Sequence, residues 1–155
     1  FNGKIKIYHN KDILFSYRCS SFPNDEILIE ATFNCKQGTE EQIQKLKAEA
    51  SLKRKTNQPL KFRSAGSIFK NPKKGLAAGA LIDKAGLKGA KAGGACISSK
   101  HANFILNLNK ATALDVFKLI LLAKETVLKQ HNINLELEIK LIGFPNHLKK
   151  KLDIN

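Results

Sequence analysis

Apolar and polar residues alternate in two segments of the chain, and this period of two predicts strands. One segment is 27–33, near the amino terminus, and the other is 135–141, near the carboxyl terminus. In the second segment glutamate and lysine occupy every intervening position, so that one strand face is apolar and the other is charged. Shorter apolar runs predict further strands at 3–8, 12–17, 95–98 and 103–108.

Three other segments repeat their apolar residues every three to four positions, which predicts helices. The first begins at Gly38-Thr39, where Thr39 and Gln42 have the spacing of a capping box, and it ends before Pro59. Its apolar stripe consists of Ile43, Leu46 and Ala50.

The second and third helices lie in the carboxy-terminal half of the chain. A short helix over Ala77–Ala85 ends at Gly86, a residue type that suits a helix carboxyl end. The longest helix begins at Thr112, with Asp115 three residues later as its capping partner. Its predicted inward face carries Val116, Phe117, Ile120, Ala123 and Val127. Helices and strands together predict an α+β fold.

Length and composition limit the possible classes of protein. The 155 residues suffice for one domain, or for a small domain with part of another, and a first residue of Phe with no Met anywhere suggests a fragment. The longest apolar run, Leu119–Ala123, is too short to cross a bilayer, and no signal peptide opens the chain. Three cysteines with no zinc-motif spacing predict no metal site and a reducing cytoplasmic location.

The charge of the chain raises the possibility of a nucleic-acid partner. Lysine and arginine number 27 against 13 acidic residues, a formal net charge of +14. The basic residues are spread along the chain, aromatic residues do not interleave with them, and no nucleic-acid-binding signature occurs. We expect no nucleic-acid partner, although a noncatalytic basic module that binds nucleotide or nucleic acid stays open as the alternative.

The segment Ala65–Pro72 is the strongest candidate for chemistry. Ser67, Lys70 and Asn71 place a hydroxyl, an ammonium and a carboxamide near one turn, and Gly66 lets the backbone approach a ligand closely. These groups could converge on one polar, anionic small molecule. An ordinary turn entering a strand is the alternative.

Four further segments carry a resemblance to a known family. Tyr17-Arg18-Cys19-Ser20 and Gln58-Pro59-Leu60 precede Ala65–Pro72, and the segments 85–107 and 135–140 follow it. These five motifs, in this order, resemble UDP-N-acetylenolpyruvoylglucosamine reductase, the MurB family of flavoenzymes, over about residues 17 to 143. The short stretch between Arg18 and Phe33 resembles the second, shorter class of that family.

The resemblance implies a domain organisation. It predicts a small mixed sheet packed by helices, forming a substrate-binding domain over residues 58–145, preceded by the end of an α+β FAD-binding domain over residues 1–36. Residues 37–57 are the expected connecting helix, and residues 146–155 form a tail. The glycine-rich FAD motifs of the family's amino-terminal half are absent, so the adenine and pyrophosphate of FAD have no obvious seat in this sequence.

The resemblance also implies a reaction and its catalytic residues. NADPH reduces FAD, and the reduced flavin passes hydride to the enolpyruvyl group of UDP-N-acetylglucosamine enolpyruvate. Arg18 and Glu138 match the residues that bracket the substrate carboxylate, Arg18 is also counted with the cofactor, and Ser67 matches the proton donor. Taken by themselves, Arg18 could pair with a surface acid and Glu138 with Lys140.

Other residues are predicted to contact the substrate with less support. Asn71 matches a substrate-contacting position, Lys70 could serve nucleotide phosphate, and Tyr17 adjoins Arg18. His101 and Asn103 fall in a family signature, but such a pair can equally satisfy buried backbone groups. The glycines of this region, namely Gly86, Gly89, Gly93 and Gly94, are expected to serve turns and close packing rather than phosphate binding.

Overall fold

The computed structural model describes residues 3–152, and the chain divides into two compact units, Phe1–Thr39 and Glu40–Asn155. In the first unit a short 3₁₀ helix, Asn10–Asp12, is followed by a hairpin of β1 (Phe15–Ser16) and β2 (Cys19–Ser20). The carboxylate of Asp12 accepts a hydrogen bond from the backbone N–H of His9 at 2.9 Å and so closes the turn.

Most strands predicted for the first unit are wrong. Segments 3–8 and 27–33 contain no strand, and of 12–17 only Phe15–Ser16 is one. A strand needs a neighbour to pair with, and the alternation at 27–33 marks a surface that should be half buried. Here Ile29 is 72 % exposed, so its segment has no apolar cover among the described residues of its unit.

Side-chain contacts nevertheless give the first unit a small ordered cluster. Glu26 accepts hydrogen bonds from the ammonium of Lys6 and from the hydroxyl of Tyr8, the latter at 2.9 Å. The ring of Tyr8 also meets that of Phe22 edge to face, with centroids 5.8 Å apart. The hydrogen bonds from Lys6 and Tyr8 lower the pKa of Glu26.

The second unit begins with α1 (Glu40–Asn57), as the capping pattern predicts. None of the residues of α1 is buried, and its predicted apolar stripe faces outward, with Leu46 66 % exposed. The helix continues to Asn57 and is followed by buried Pro59. Because α1 buries no apolar face, its amphipathic pattern finds no packing partner among residues 3–152.

The remaining elements form an α+β domain, which confirms the predicted fold class. They are β3 (Arg63–Ser67), α2 (Ala78–Lys84), β4 (Lys91–Ala92), β5 (Ala95–Ile97), β6 (Phe104–Asn107), α3 (Ala113–His131) and α4 (Asn146–Lys150). The four strands lie in the order β3-β6-β5-β4, and each adjacent pair is antiparallel.

The helix α3 provides the largest apolar face of the core. Its capping box is present: the Thr112 hydroxyl accepts from the Asp115 N–H at 3.1 Å, and the Asp115 carboxylate accepts from the Thr112 N–H at 2.9 Å. Of the predicted inward residues four are buried, Val116 is half buried, and Leu119 and Lys124 are buried as well. The core joins this face to buried side chains of α2, β5 and the segment after β3.

The segment 135–141 is less regular than predicted. Its backbone runs antiparallel to residues 68–70, but only Leu137 forms a bridge, with Phe69. Leu135 is buried, and the following alternate apolar residues pack against the core. The predicted inward face is therefore correct, while a full strand is not. The tail is helical at α4, and Leu152 is buried; the tail residues 153–155 lie outside the described part of the chain.

Two classes of feature are absent from the described residues. Across residues 3–152 no helix combines the length and apolar character needed to cross a membrane. In the same range, no three side chains of His, Cys, Asp or Glu come together as a metal site would require.

Candidate functional site

Ser67 lies at the end of β3, immediately after an irregularity in the pairing of β3 with β6. Ser64 pairs with Leu106 and Ser67 with Phe104, so β3 contains one residue more than β6 across this stretch. The insertion is a β-bulge, and Gly66 within it has φ +81°, a left-handed conformation that glycine adopts at little cost. Bulges redirect the side chains that follow them, and here the following side chain is that of Ser67.

A cleft of about 610 Å³ opens beside β3, entirely within the second unit. We call it the β3 cleft; the residues that line it run from the end of α1 through β3, with Phe104, Glu138 and Ile139 added. It brings together Ser67 and Glu138, two residues predicted to be catalytic. The backbone N–H of Glu138 donates to the carbonyl of Ile68 at 2.8 Å, so Glu138 is hydrogen-bonded to the residue that follows Ser67.

The β3 cleft is also lined by two arginines for which we predicted no role. Arg54, from the last turn of α1, donates from Nε to the side-chain oxygen of Gln58 at 3.3 Å. Arg63, the first residue of β3, makes no side-chain hydrogen bond or ion pair within residues 3–152. Two guanidinium groups against one carboxylate favour an anionic ligand.

The Ser67 side chain is half buried, and within residues 3–152 its hydroxyl has no hydrogen-bond partner. A hydroxyl that is sheltered but not engaged by the protein can donate to or accept from a bound ligand. The described structure therefore leaves the predicted proton donor available on the wall of the β3 cleft.

Arg18 and Tyr17 lie in the first unit, where they form the two-residue loop between β1 and β2. Arg18 has φ +57°, a left-handed conformation that costs a residue other than glycine roughly 1–2 kcal/mol. Its guanidinium carbon lies 5.6 Å from the centroid of the Tyr17 ring. Both side chains are exposed. That Arg18 acts in the same site as Ser67 stays a prediction.

Asn71 and Lys70 are not among the residues that line the β3 cleft. The side-chain oxygen of Asn71 accepts from the backbone N–H of Ala78 at 3.0 Å and so caps the first turn of α2. The ammonium of Lys70 lies 3.4 Å from the carboxylate of Glu136, an exposed ion pair. Their predicted contacts with substrate stay predictions.

His101 and Asn103 make contacts that fit the alternative reading of this pair, in which polar groups satisfy the backbone. Nδ1 of His101 accepts from the backbone N–H of Asn103 at 3.3 Å, and its ring meets that of Phe104 edge to face at 4.9 Å. Asn103 is 4 % exposed, and its amide bonds to both backbone groups of Phe69. Neither residue lines the β3 cleft.

The paired glycines Gly93 and Gly94 serve close packing, as expected. A Cβ atom at Gly94 would overlap the carbonyl of Asn109, and one at Gly93 would overlap the carboxylate of Asp115. That carboxylate also receives the Gly94 N–H, and hydrogen bonds from Thr112 in the first place hold the pKa of Asp115 below its usual range. These glycines thus join the β4–β5 turn to the start of α3.

Comparison with known proteins identifies the family. Residues 58–142 match the model described as "UDP-N-acetylenolpyruvoylglucosamine reductase, C-terminal domain". A protein named UDP-N-acetylenolpyruvoylglucosamine reductase from Fervidobacterium nodosum is 45% identical over 145 residues, which are 91% of this chain and 47% of that protein. One of the same name from Chloroherpeton thalassium is 45% identical over 157 residues, 96% of this chain and 50% of that protein.

A solved structure agrees with these sequence matches. The crystal structure of UDP-N-acetylenolpyruvylglucosamine reductase (MurB) from Thermus caldophilus has a TM-score of 0.76 and 39% identity, covering 90% of this chain and 49% of that one. The chain spans about half the length of the curated relatives that it matches. The resemblance seen in the sequence is confirmed, and the chain belongs to the family of the UDP-N-acetylenolpyruvoylglucosamine reductase C-terminal domain.

Proposed function

We propose that this chain is the substrate-handling part of a UDP-N-acetylenolpyruvoylglucosamine reductase, which reduces the enolpyruvyl group of UDP-N-acetylglucosamine enolpyruvate. We place the reaction in the cytoplasm, in the synthesis of peptidoglycan precursors. The observation that carries the proposal is the β3 cleft, in which Ser67 and Glu138 lie together beside two arginines. By the family resemblance these two residues match catalytic positions, and the positive charges of the two arginines suit a substrate that carries a diphosphate and a carboxylate.

The chemistry assigns a distinct task to each group. Reduction adds a hydride to C3 of the enolpyruvyl group and a proton to C2, with negative charge passing through C2 and its carboxylate between the two events. The hydroxyl of Ser67 donates the proton to C2. Serine is a weak acid, so it needs a favourable electrostatic field, which Arg54 and Arg63, residues that also line the β3 cleft, supply. Glu138 and Arg18 bracket the carboxylate of the substrate, Arg18 through its bidentate fork.

The described residues do not form a complete binding site for the flavin cofactor. FAD, when bound, supplies the hydride, and NADPH is the reductant that regenerates it. The one adjacent pair of glycines in residues 3–152, Gly93-Gly94, packs against Asn109 and the capped start of α3, where a pyrophosphate has no room. We therefore assign the pyrophosphate of FAD to the half of the relatives that this chain does not match, and substrate binding and proton delivery to this chain.

A reconstructed enzyme tests the proposal. The amino-terminal half of the Fervidobacterium nodosum relative is joined ahead of this chain to give what we call the joined reductase. We expect it to bind flavin, to accept electrons from NADPH and to have its reduced flavin reoxidised by UDP-N-acetylglucosamine enolpyruvate. Reoxidation is followed by stopped-flow absorbance, with UDP-N-acetylglucosamine as the control ligand that lacks a reducible group. A joined reductase that is reduced by NADPH but unaffected by the enolpyruvyl substrate would contradict the proposal.

The noncatalytic basic module is the weaker candidate. Its support is the net charge of +14, which is spread along the chain. That charge does not explain why a carboxylate and a serine hydroxyl share the β3 cleft with Arg54 and Arg63.

A further inference from the structure

Both polar atoms of the Asn103 side chain bond to one peptide segment. Its Oδ1 accepts from the backbone N–H of Phe69 at 2.9 Å, and its Nδ2 donates to the carbonyl of Phe69 at 2.8 Å. Its own carbonyl accepts from the N–H of Ile68 at 2.9 Å. Phe69 is 2 % exposed, so its backbone groups have little access to water if Asn103 is lost.

The same segment is held from its other side by the chain that carries Glu138. The carbonyl of Ile68 accepts from the N–H of Glu138 at 2.8 Å, and the N–H of Lys70 donates to the carbonyl of Glu136 at 2.9 Å. Ile68–Phe69 is thus fixed between Asn103 and the segment 136–138. Ser67 immediately precedes this fixed segment, and Glu138 is bonded to it.

We propose that Asn103 is a positioning residue, which sets Ser67 and Glu138 relative to each other by fixing Ile68–Phe69, and does not bind substrate. The proposal rests on the proposed function, because it concerns the proton-delivery step at the same cleft. Each polar atom of the amide bonds to Phe69, and although each could make a second bond, Asn103 is buried and does not line the β3 cleft, so a ligand in the cleft does not reach it. A misplacement of about 1 Å can slow a reaction by about a hundredfold, so such an indirect role is strong enough to measure.

Two substitutions separate the parts of this interaction. Asn103→Ala removes both bonds to Phe69 and leaves a buried N–H and a buried carbonyl unsatisfied. Asn103→Asp keeps the size of the side chain and the acceptor for the Phe69 N–H, but it sets a second oxygen against the carbonyl of Phe69. The aspartate variant therefore tests the segment's position even if the alanine variant does not fold.

Ser98→Ala is the matched control. Ser98 is 1 % exposed and precedes the loop that leads to Asn103, and its hydroxyl accepts from the N–H groups of Lys100 and His101 at 3.1 and 3.2 Å. Its loss also removes the acceptor of two backbone N–H groups, those of exposed Lys100 and half-buried His101, yet Ser98 makes no hydrogen bond to the Ile68–Phe69 segment. A merely destabilising change should affect Ser98→Ala and the Asn103 variants alike.

The experiment measures both half-reactions of the joined reductase, the KM for the enolpyruvyl substrate, and thermal unfolding of each variant. For folded Asn103 variants we expect flavin reoxidation at saturating substrate to slow by about tenfold or more, with KM and reduction by NADPH within about twofold of the parent. Hydrogen exchange of the Phe69 amide in the 155-residue chain should quicken in Asn103→Ala. Ser98→Ala should lower the unfolding temperature and leave both half-reactions near the parent rates.

Three results would overturn the inference. A raised KM with an unchanged rate at saturation would make Asn103 a direct substrate ligand. Reoxidation within about twofold of the parent in a folded variant would show that the segment holds its position without the amide. If Ser98→Ala slowed flavin reoxidation as much as the Asn103 variants do, general destabilisation would explain the slowing. A parent that fails to be reoxidised at all refutes the proposed function itself, which separates that failure from these three.

Discussion

The β-bulge at Gly66 gives the most specific structural prediction, because two glycines of the same domain allow a matched comparison. Gly66 has φ +81° and Gly75 has φ +87°, and a Cβ atom added at either would meet no atom within 4 Å. Substitution by alanine therefore imposes backbone strain alone at both positions. Only Gly66 lies beside Ser67 in the β3 cleft.

The expected cost follows from two opposing terms. A left-handed conformation costs a residue with a Cβ roughly 1–2 kcal/mol, while replacing glycine recovers roughly 0.4–1 kcal/mol by restricting the unfolded chain. We expect Gly66→Ala and Gly75→Ala each to lower the free energy of unfolding by about 1 kcal/mol. Urea unfolding of the 155-residue chain, followed by far-ultraviolet circular dichroism, measures this change.

The two variants should differ in activity. Strain at Gly66 can be relieved by moving the bulge, and Ser67 moves with it, so reoxidation of the joined reductase should slow by about tenfold in Gly66→Ala and remain near the parent rate in Gly75→Ala. A loss of more than about 3 kcal/mol at Gly66 would reveal a steric contact that the structure lacks. Equal reoxidation rates in the two variants would refute the claim that the bulge sets the position of Ser67.

Three further predictions concern charge and cofactor. Hydrogen bonds to its carboxylate lower the pKa of Asp115 in the folded chain, and this stabilises the folded chain at pH values above about 3.9, the ordinary pKa of aspartate. The stabilisation is lost as the pH falls through the lowered pKa of the folded state. The stability gap between the parent and Asp115→Asn should therefore narrow on acidification from neutral pH, and a constant gap in urea titrations would contradict this. In the joined reductase, Glu138→Gln should slow reoxidation by substrate while leaving reduction by NADPH nearly intact; equal losses in stopped-flow traces would point to misfolding. The 155-residue chain purified alone should be colourless, whereas a flavin spectrum that survives gel filtration at one equivalent per chain would show that it holds FAD by itself.

Local signals predicted the parts of the fold that depend on nearby residues. The capping box at Thr112 and the apolar face of α3 were predictable because helix spacing and capping act within a few residues. The strands predicted at 3–8 and 27–33 are absent, because a strand exists only with a partner and period-two alternation does not say which partner is present. The segment 135–141 shows both effects. Its inward residues were predicted correctly, but in place of the predicted strand it forms a single bridge, between Phe69 and Leu137.

The candidate site was predictable only in part, for the same reason. The family resemblance indicated Ser67 and Glu138, which the fold brings to one cleft. It gave no role to Arg63, since an isolated arginine in a lysine-rich chain carries no local signal. It also placed Asn103 with the substrate contacts, whereas the bonds to Phe69 are long-range contacts across 34 residues that no sequence spacing encodes.

The most direct test of the account is the rate at which the enolpyruvyl substrate reoxidises the reduced flavin of the joined reductase when Ser67 is replaced by alanine. A positioned general acid contributes roughly a hundred- to ten-thousandfold, about 3–5 kcal/mol of barrier. We expect Ser67→Ala to slow reoxidation by that factor, with substrate binding and reduction by NADPH unchanged, and Ser67→Cys to retain part of the rate. The control Ser51→Ala alters an exposed serine of α1 outside the β3 cleft and should leave the rate unchanged. Reoxidation of the Ser67→Ala enzyme within about threefold of the parent would show that Ser67 does not deliver the proton.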